Sequence, residues 1–300
     1  MVNYDLSGSI HTMRTANLTT RQAAHLLNVS EATIKRWADD GVLKSEKTVG
    51  GHRRYGIESI GRLRGQRKLR NEAAASPRAV KRKTKPLPSP DDFLRLALAG
   101  DELEAGAALV DAYLAHHSLD SIFEITVTQA MNMLGNYWLE GSVTVAEEHM
   151  ATRVVFIAIQ KLRGVIVPDE PNGLSAISCA IEGELHEMAA HLIEVLLESR
   201  GWKVINLGAN TPLFSLPKMV IKQQPELVCI SAHEISDLDR ATIEFAQLSR
   251  VAAKSKTKIV LGGEAFRNPK IRIRFPADFY PGDFHAFSKL TTKLLKGREN

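Results

Sequence analysis

The chain has 300 residues, 44% of them hydrophobic, with 39 Lys and Arg against 34 Asp and Glu and two cysteines. That length suggests two or three domains with proper cores, and no stretch approaches the roughly 18 unbroken apolar residues of a membrane span. Met1 to Ala16 is polar and lacks the apolar core of a signal peptide, so the expectation is a cytoplasmic protein with no membrane partner. Cys179 and Cys229 each lie in an apolar, strand-like run, which argues against a disulfide framework or a Cys-ligated zinc site. Charge is unevenly divided: residues 1–88 hold 18 Lys and Arg against 7 Asp and Glu, a net +11, and the remainder carries −6. Nucleic acid is the expected partner of the first part.

Residues 1–17 read as a tail. Thr19 and Gln22 are spaced as a capping box, opening a helix whose inner face is Ala23, Ala24, Leu26 and Leu27. Ser30 is a second N-cap candidate, ahead of a helix from Glu31 to Ala38, so the two form a helix-turn-helix pattern. Lys44 to Tyr55, with Gly50-Gly51 at its centre, reads as a hairpin. The segment from Thr48 to Tyr55 resembles the wing of MerR-family DNA-binding domains, over about residues 18–70. The resemblance implies a second helix in the major groove and a wing on the backbone of double-stranded operator DNA. Arg21, Thr33, Lys35 and Arg36 are then the candidates to face DNA, with His52, Arg53, Arg54 and Tyr55 on phosphates.

Residues 71–90 contain Pro77, Pro86, Pro88 and Pro90 around Lys81-Arg82-Lys83-Thr84-Lys85, a flexible basic linker. From 91 to 168 the signals are helical: Asp92–Leu98, Glu102–His117, Leu119–Trp138 and Val145–Arg163. Four helices with short connections predict an up-down bundle. Thr144 and Glu147 form another capping box. Trp138 ends one helix, and Glu148-His149 falls in the first turn of the next, which brings the three toward one end of the bundle.

Residues 174–296 alternate strand and helix. Ser175–Ile181, Lys203–Leu207, Leu227–Ser231 and Lys258–Leu261 are strand-like, with Ala277–Tyr280 as a weak fifth. Such alternation predicts a doubly wound parallel sheet, which binds ligands at the carboxyl ends of its strands. His186 sits at such an end, in a βα turn, and Glu184 two residues earlier is placed to orient it for a metal. Gly208 to Pro212 forms the next turn on the same edge.

After Ala189 come 41 residues, then Ser231-Ala232-His233, then 28 residues, then Gly262-Gly263. This resembles the cobalamin-binding signature Asp-x-His-x-x-Gly, Ser-x-Leu, Gly-Gly, with Glu184, Ala189 and His233 at departing positions. The resemblance implies that His186 is the lower cobalt ligand and that Gly183, Glu184, Ser231, His233, Gly262 and Gly263 line the site and its slot for the displaced nucleotide tail. Trp138 with Glu148-His149 at this spacing also resembles the capping motif of CarH-type, adenosylcobalamin-dependent light-responsive repressors. In that family the tryptophan covers the upper corrin face, with Val145 and the Glu-His pair beside it. Leu139 stands where light-sensing relatives carry a histidine able to ligate cobalt.

The sequence is therefore read as a multidomain α and α/β chain: winged helix-turn-helix, helical cap and Rossmann-like cobalamin domain. The expected function is regulatory rather than enzymatic. Its cofactor is adenosylcobalamin, with methylcobalamin or hydroxocobalamin as other forms, and its working state is a homo-oligomer, a dimer or tetramer, that represses until light cleaves the cobalt–carbon bond. Two other readings stay open: a light-independent sensor of cobalamin or another tetrapyrrole, and a corrinoid methyl-transfer protein.

Overall fold

A computed structural model describes residues 17–27, 29–48, 50–56, 59–60 and 86–296. They fall into two compact units, one within Met1–Lys81 and the other within Arg82–Asn300. The expected tail at 1–16 and most of the expected linker lie outside the described residues.

In the first unit, β1 (Asn17–Thr19) leads into α1 (Thr20–Leu26), followed by α2 (Glu31–Asp39), β2 (Ser45–Lys47) and β3 (Arg53–Gly56). The capping box at α1 forms as expected: Thr19 N–H donates to Gln22 Oε1 at 2.9 Å, and Gln22 N–H to Thr19 Oγ1 at 3.2 Å. Ser30 caps α2 by accepting the Thr33 N–H at 3.1 Å. β3 lies between the other two strands, both antiparallel to it. β1 is an addition to the expected hairpin; at three residues it is too short for a period of two to be visible. Leu18, Ala23, Ala24, Leu27, Ile34, Leu43 and Tyr55 form the core.

The second unit begins with α3 (Pro90–Leu98), its first turn capped by Ser89 and with proline at its first position. Pro90 thus starts a helix rather than ending a linker, because a missing N–H costs nothing there. α4 (Glu102–Leu114) follows. The helix expected over 119–138 forms as α5 (Leu119–Ser121), a π-helical stretch (Ile122–Thr128) and α6 (Gln129–Leu139). α7 (Val145–Arg163) is fixed at its start by the reciprocal Thr144 and Glu147 capping box.

The α/β part runs β4 (Ser175–Ala180), α8 (Met188–Glu198), β5 (Lys203–Asn206), α9 (Leu216–Gln223), β6 (Leu227–Ser231), α10 (Leu238–Ser255), β7 (Lys258–Gly262), α11 (Pro269–Arg274) and α12 (Phe284–Lys296). The strands are parallel in the order β5-β4-β6-β7. Ala277–Tyr280 makes only an isolated bridge, Val260 to Phe279. The Asp278 carboxylate takes the Ile259 N–H at 2.9 Å, so a side chain satisfies a group that a fifth strand would have paired. Both cysteines are buried free thiols in β4 and β6, and burial pushes Cys179 up to about 12.

One face of the sheet shares a continuous apolar core with the bundle, which includes Leu192, Val195 and Leu196 of α8 and Val155, Ile159 and Leu162 of α7. The other face packs on α9 and α10. A polar joint adds direction to the first contact. His191 is buried, stacked on Phe156 at 5.3 Å, 2.9 Å from Gln160 and 2.9 Å from Glu194. Arg163 pairs with Glu194 at 3.1 Å and Glu198 at 2.6 Å. α12 then returns to the bundle, where His285 meets Asp120 at 2.6 Å and the Phe284 N–H donates to Glu124 of the π-helical stretch at 2.9 Å. Among the described residues no helix is long and apolar enough to cross a membrane.

Candidate functional site

β4 ends at Ala180, and α8 does not start until Met188. His186 therefore stands in an irregular turn ahead of the helix. Its ring is fixed by one carboxylate: Glu184 Oε1 accepts from Nδ1 at 2.7 Å and from the His186 N–H at 2.8 Å. The other oxygen of Glu184 accepts the His233 N–H at 2.8 Å. Glu184 is buried while the His186 side chain is 72% exposed, so the carboxylate is the foundation and the imidazole the projecting group.

Burial opposes ionisation of Glu184, but hydrogen bonds from His186 and the two backbone N–H groups outweigh it and hold the carboxyl at about 2. The same hydrogen bond raises His186, against a smaller desolvation effect, and the charges of Glu184 and Glu148 add to it. An ionised partner at Nδ1 fixes the tautomer and strengthens Nε2 as a donor to a metal.

The neighbouring turn braces this loop. Asn210, with φ 51°, accepts the Gly183 N–H on its side chain at 2.9 Å and donates its own N–H to the Glu184 carbonyl at 2.8 Å. Gly183 has φ 85°, which a side chain would strain. The turn expected to lie on the same edge thus supports the histidine loop directly.

On the adjacent strands, Ser231 is buried at the end of β6, and its hydroxyl has no hydrogen-bond partner. A buried hydroxyl without a partner is costly, and at this strand end it makes Ser231 a candidate to bond a ligand. The two glycines differ. A Cβ on Gly262 would meet nothing within 4 Å, so open space lies beside that backbone; one on Gly263 would fall 2.3 Å from the Ala232 carbonyl. The backbone at Gly262 is open on that side, whereas Gly263 lets two loops close on each other. His233 contributes its backbone N–H to Glu184, and its side chain is exposed.

The bundle presents its own group of residues. Trp138, Leu139 and Val145 flank the α6–α7 turn and are 47%, 75% and 54% exposed, and Leu185 beside His186 is also exposed. Glu148 accepts the Thr152 hydroxyl at 2.7 Å and lies 3.6 Å from His149, whose side chain is open to solvent. The charge of Glu148 acts on His186, so the start of α7 and the histidine turn occupy one neighbourhood.

The expected DNA-facing residues divide similarly. Arg21, Lys35, Arg36 and His52 are exposed, and Thr33 and Arg54 are half-buried. Two residues depart from the expectation of phosphate contact. Tyr55 is wholly buried opposite Leu18 and Ser45, and a ring in the core cannot reach a phosphate. Arg53 is spent within the unit, donating to Asp39 and to the Lys35 carbonyl. Sequence reasoning missed the polar joint at His191, because its partner Gln160 lies 31 residues away along the chain.

Comparison with known proteins agrees with this division. Residues 18–85 match the family model described as MerR HTH family regulatory protein, and residues 91–162 and 175–279 match two models described as B12 binding domain. The chain is 25% identical over 267 residues to the HTH-type transcriptional repressor CarA of Myxococcus xanthus, covering 82% of this chain and 86% of that protein. It is 24% identical over 234 residues to the repressor CarH of the same organism, covering 70% and 76%. The Methanosarcina barkeri monomethylamine corrinoid protein has the same fold over 67% of this chain and 96% of its own, with a TM-score of 0.56 and 16% identity.

A B12 cofactor fits the residues present. An oriented imidazole suits cobalt, the unpartnered Ser231 hydroxyl and the open backbone at Gly262 suit a polar tail, and exposed Trp138, Val145 and Leu185 suit a broad apolar ring system. A winged helix-turn-helix followed by a helical and an α/β B12 binding domain makes this chain a MerR-family transcriptional regulator.

Proposed function

We propose that the chain represses transcription by gripping operator DNA as a homo-oligomer, a dimer or tetramer, whose assembly depends on adenosylcobalamin and is reversed by light. The observation that carries this reading is the pairing, within one unit, of a braced, metal-ready His186 with the exposed apolar residues of the α6–α7 turn. When bound, adenosylcobalamin supplies a cobalt–carbon bond that light cleaves. The residues of this chain do the rest. His186, held by Glu184, would ligate the metal; Ser231 and Gly262 would hold the nucleotide tail; and Trp138, Val145, Glu148 and His149 would cover the ring system from the bundle. Packing against them favours the DNA-gripping assembly, and its loss favours release. The shift is limited to the difference in the cofactor's affinity for the two arrangements. The winged unit offers Arg21, Thr33, Lys35, Arg36, His52 and Arg54 to DNA. Such a regulator acts in the cytoplasm, and the winged unit argues against a methyl-transfer role.

Leu139 favours a second reading. It lies next to Trp138 and carries no ligand atom, so that position would offer no second ligand to a metal, and a light-independent cobalamin sensor is the alternative. Gel shifts on duplex DNA enriched by the protein from a random pool, with adenosylcobalamin in the dark and after green light, separate the two. The proposal expects the shifted band to vanish together with the alkyl-cobalt absorption. Retention of the band despite photolysis overturns light control and leaves the cobalamin sensor.

A further inference from the structure

β3 alternates its side chains, so Arg53 and Tyr55 share one face and Arg54 the other. Tyr55 is wholly buried in the unit's core, so Arg53 lies on the side that packs toward the helices. Its guanidinium reaches the last turn of α2, where one nitrogen donates to Asp39 Oδ1 at 2.5 Å and the other to the Lys35 carbonyl at 3.1 Å. The Arg53 side chain is 26% exposed and that of Asp39 59%. A cation over a helix C-terminus is favourable in itself, and the fork of the guanidinium sets an orientation that a single charge would not.

β2 and β3 have three and four residues. The third strand β1 and the buried Tyr55 hold the base of the wing, which leaves its orientation against α2 to be fixed. Yet the wing and α2 must meet DNA in a fixed relation if Arg54 and His52 are to reach the backbone while Thr33, Lys35 and Arg36 face the groove. The Arg53 link joins the strand that carries Arg54 to the helix that carries Lys35 and Arg36.

We infer that Arg53 is a positioning residue, not a phosphate contact, and that with Asp39 it clamps the wing to the recognition helix. This rests on the reading that the winged unit binds DNA. Its consequence is an inversion of sign. Asp39 is an acid on a surface that meets a polyanion, so electrostatics alone make its removal favourable; the clamp makes its removal harmful.

The test uses the full chain and the duplex enriched by the wild-type protein from a random-sequence pool, with affinity measured across a salt series. Asp39→Asn is expected to weaken binding about three- to fivefold, in line with the modest strength of a surface ion pair, despite the loss of a negative charge. Arg53→Gln is expected to weaken it similarly with an unchanged salt slope, and the double variant to bind no more weakly than either single one. Arg54→Gln is the contrast: its slope flattens by about 0.9, the signature of one lost phosphate contact. Equal or tighter binding by Asp39→Asn, or a flattened slope for Arg53→Gln, overturns the clamp. If the wild-type chain enriches no duplex at all, it is the DNA-binding reading that fails instead.

Discussion

The two halves of the candidate cobalamin site are built in opposite ways. On the sheet side, His186 is fixed through Glu184, whose two oxygens accept from the imidazole and from two backbone N–H groups, while Asn210 braces the loop from the next turn. On the bundle side, Trp138, Leu139 and Val145 are exposed, and His149 has only a 3.6 Å approach to Glu148. The lower half is preorganised and needs little rearrangement to offer a ligand atom. The upper half has apolar surface still to bury, at roughly 25 cal/mol per Å², and so has most to gain from a bound ring system. The proposed sensor would need this division, with one side to hold the cofactor and the other to respond to its state.

The largest effect should come from undoing the rigid half. Glu184→Ala removes the partner of Nδ1 and the acceptor of the His233 N–H together, and should cost about 10- to 100-fold in cobalamin affinity, the usual range for loss of a group that orients a metal-binding histidine. Titration followed by corrin absorption checks this, and unchanged affinity would mean that His186 needs no such support.

The joint between bundle and sheet comes next. The hydrogen bond to His191, ahead of opposing burial and with help from Asn206 and Arg163, holds Glu194 at about 2, against 4.5 for a free carboxyl. A depressed carboxylate contributes stability that is present in full above about pH 4.5 and lost as pH falls toward about 2, on the order of 3 kcal/mol by linkage. Glu194→Gln should therefore lower the urea midpoint at pH 7, and the gap from wild type should close by about pH 2. A gap that did not change with pH would remove Glu194 from the joint's electrostatics.

The smallest effect on the protein itself is expected at the open half. Trp138→Ala should change the stability of the cofactor-free chain by less than about 1 kcal/mol, as for other exposed positions, yet weaken cobalamin binding several-fold. A large loss of stability would show that Trp138 is a core residue after all.

Much of this was legible in the sequence because its signals are local. The capping boxes of Thr19 with Gln22 and Thr144 with Glu147 span three residues, and both form. The parallel strands announced themselves as short β-branched runs, and His186 with Glu184 as a spacing of two. What stayed hidden depends on tertiary context. The π-helical stretch at Ile122–Thr128 is rich in β-branched residues, which lowers helix propensity but does not tell a π-helical turn from an α-helical one. The joint of Gln160, Arg163, His191 and Glu194 is assembled from two successive helices with a strand between them, its cross-helix pairs 31 residues apart. In the wing, His52 to Tyr55 reads as a basic run, but the pleat divides it: Arg54 faces one way, while Tyr55 enters the core and Arg53 is drawn to Asp39. Once β3 is placed at the centre of its sheet, the alternation follows, but nothing in the run itself announces that position.

The central claim is that His186 ligates the cobalt of a bound cobalamin, and electron paramagnetic resonance of the cobalt(II) form reads it directly. Protein grown with ¹⁵N-histidine and loaded with unlabelled cobalamin should show doublet superhyperfine splitting from one axial nitrogen, lost in His186→Ala. A triplet that persists in the labelled protein, from the ¹⁴N of the cofactor's own benzimidazole, would contradict the account.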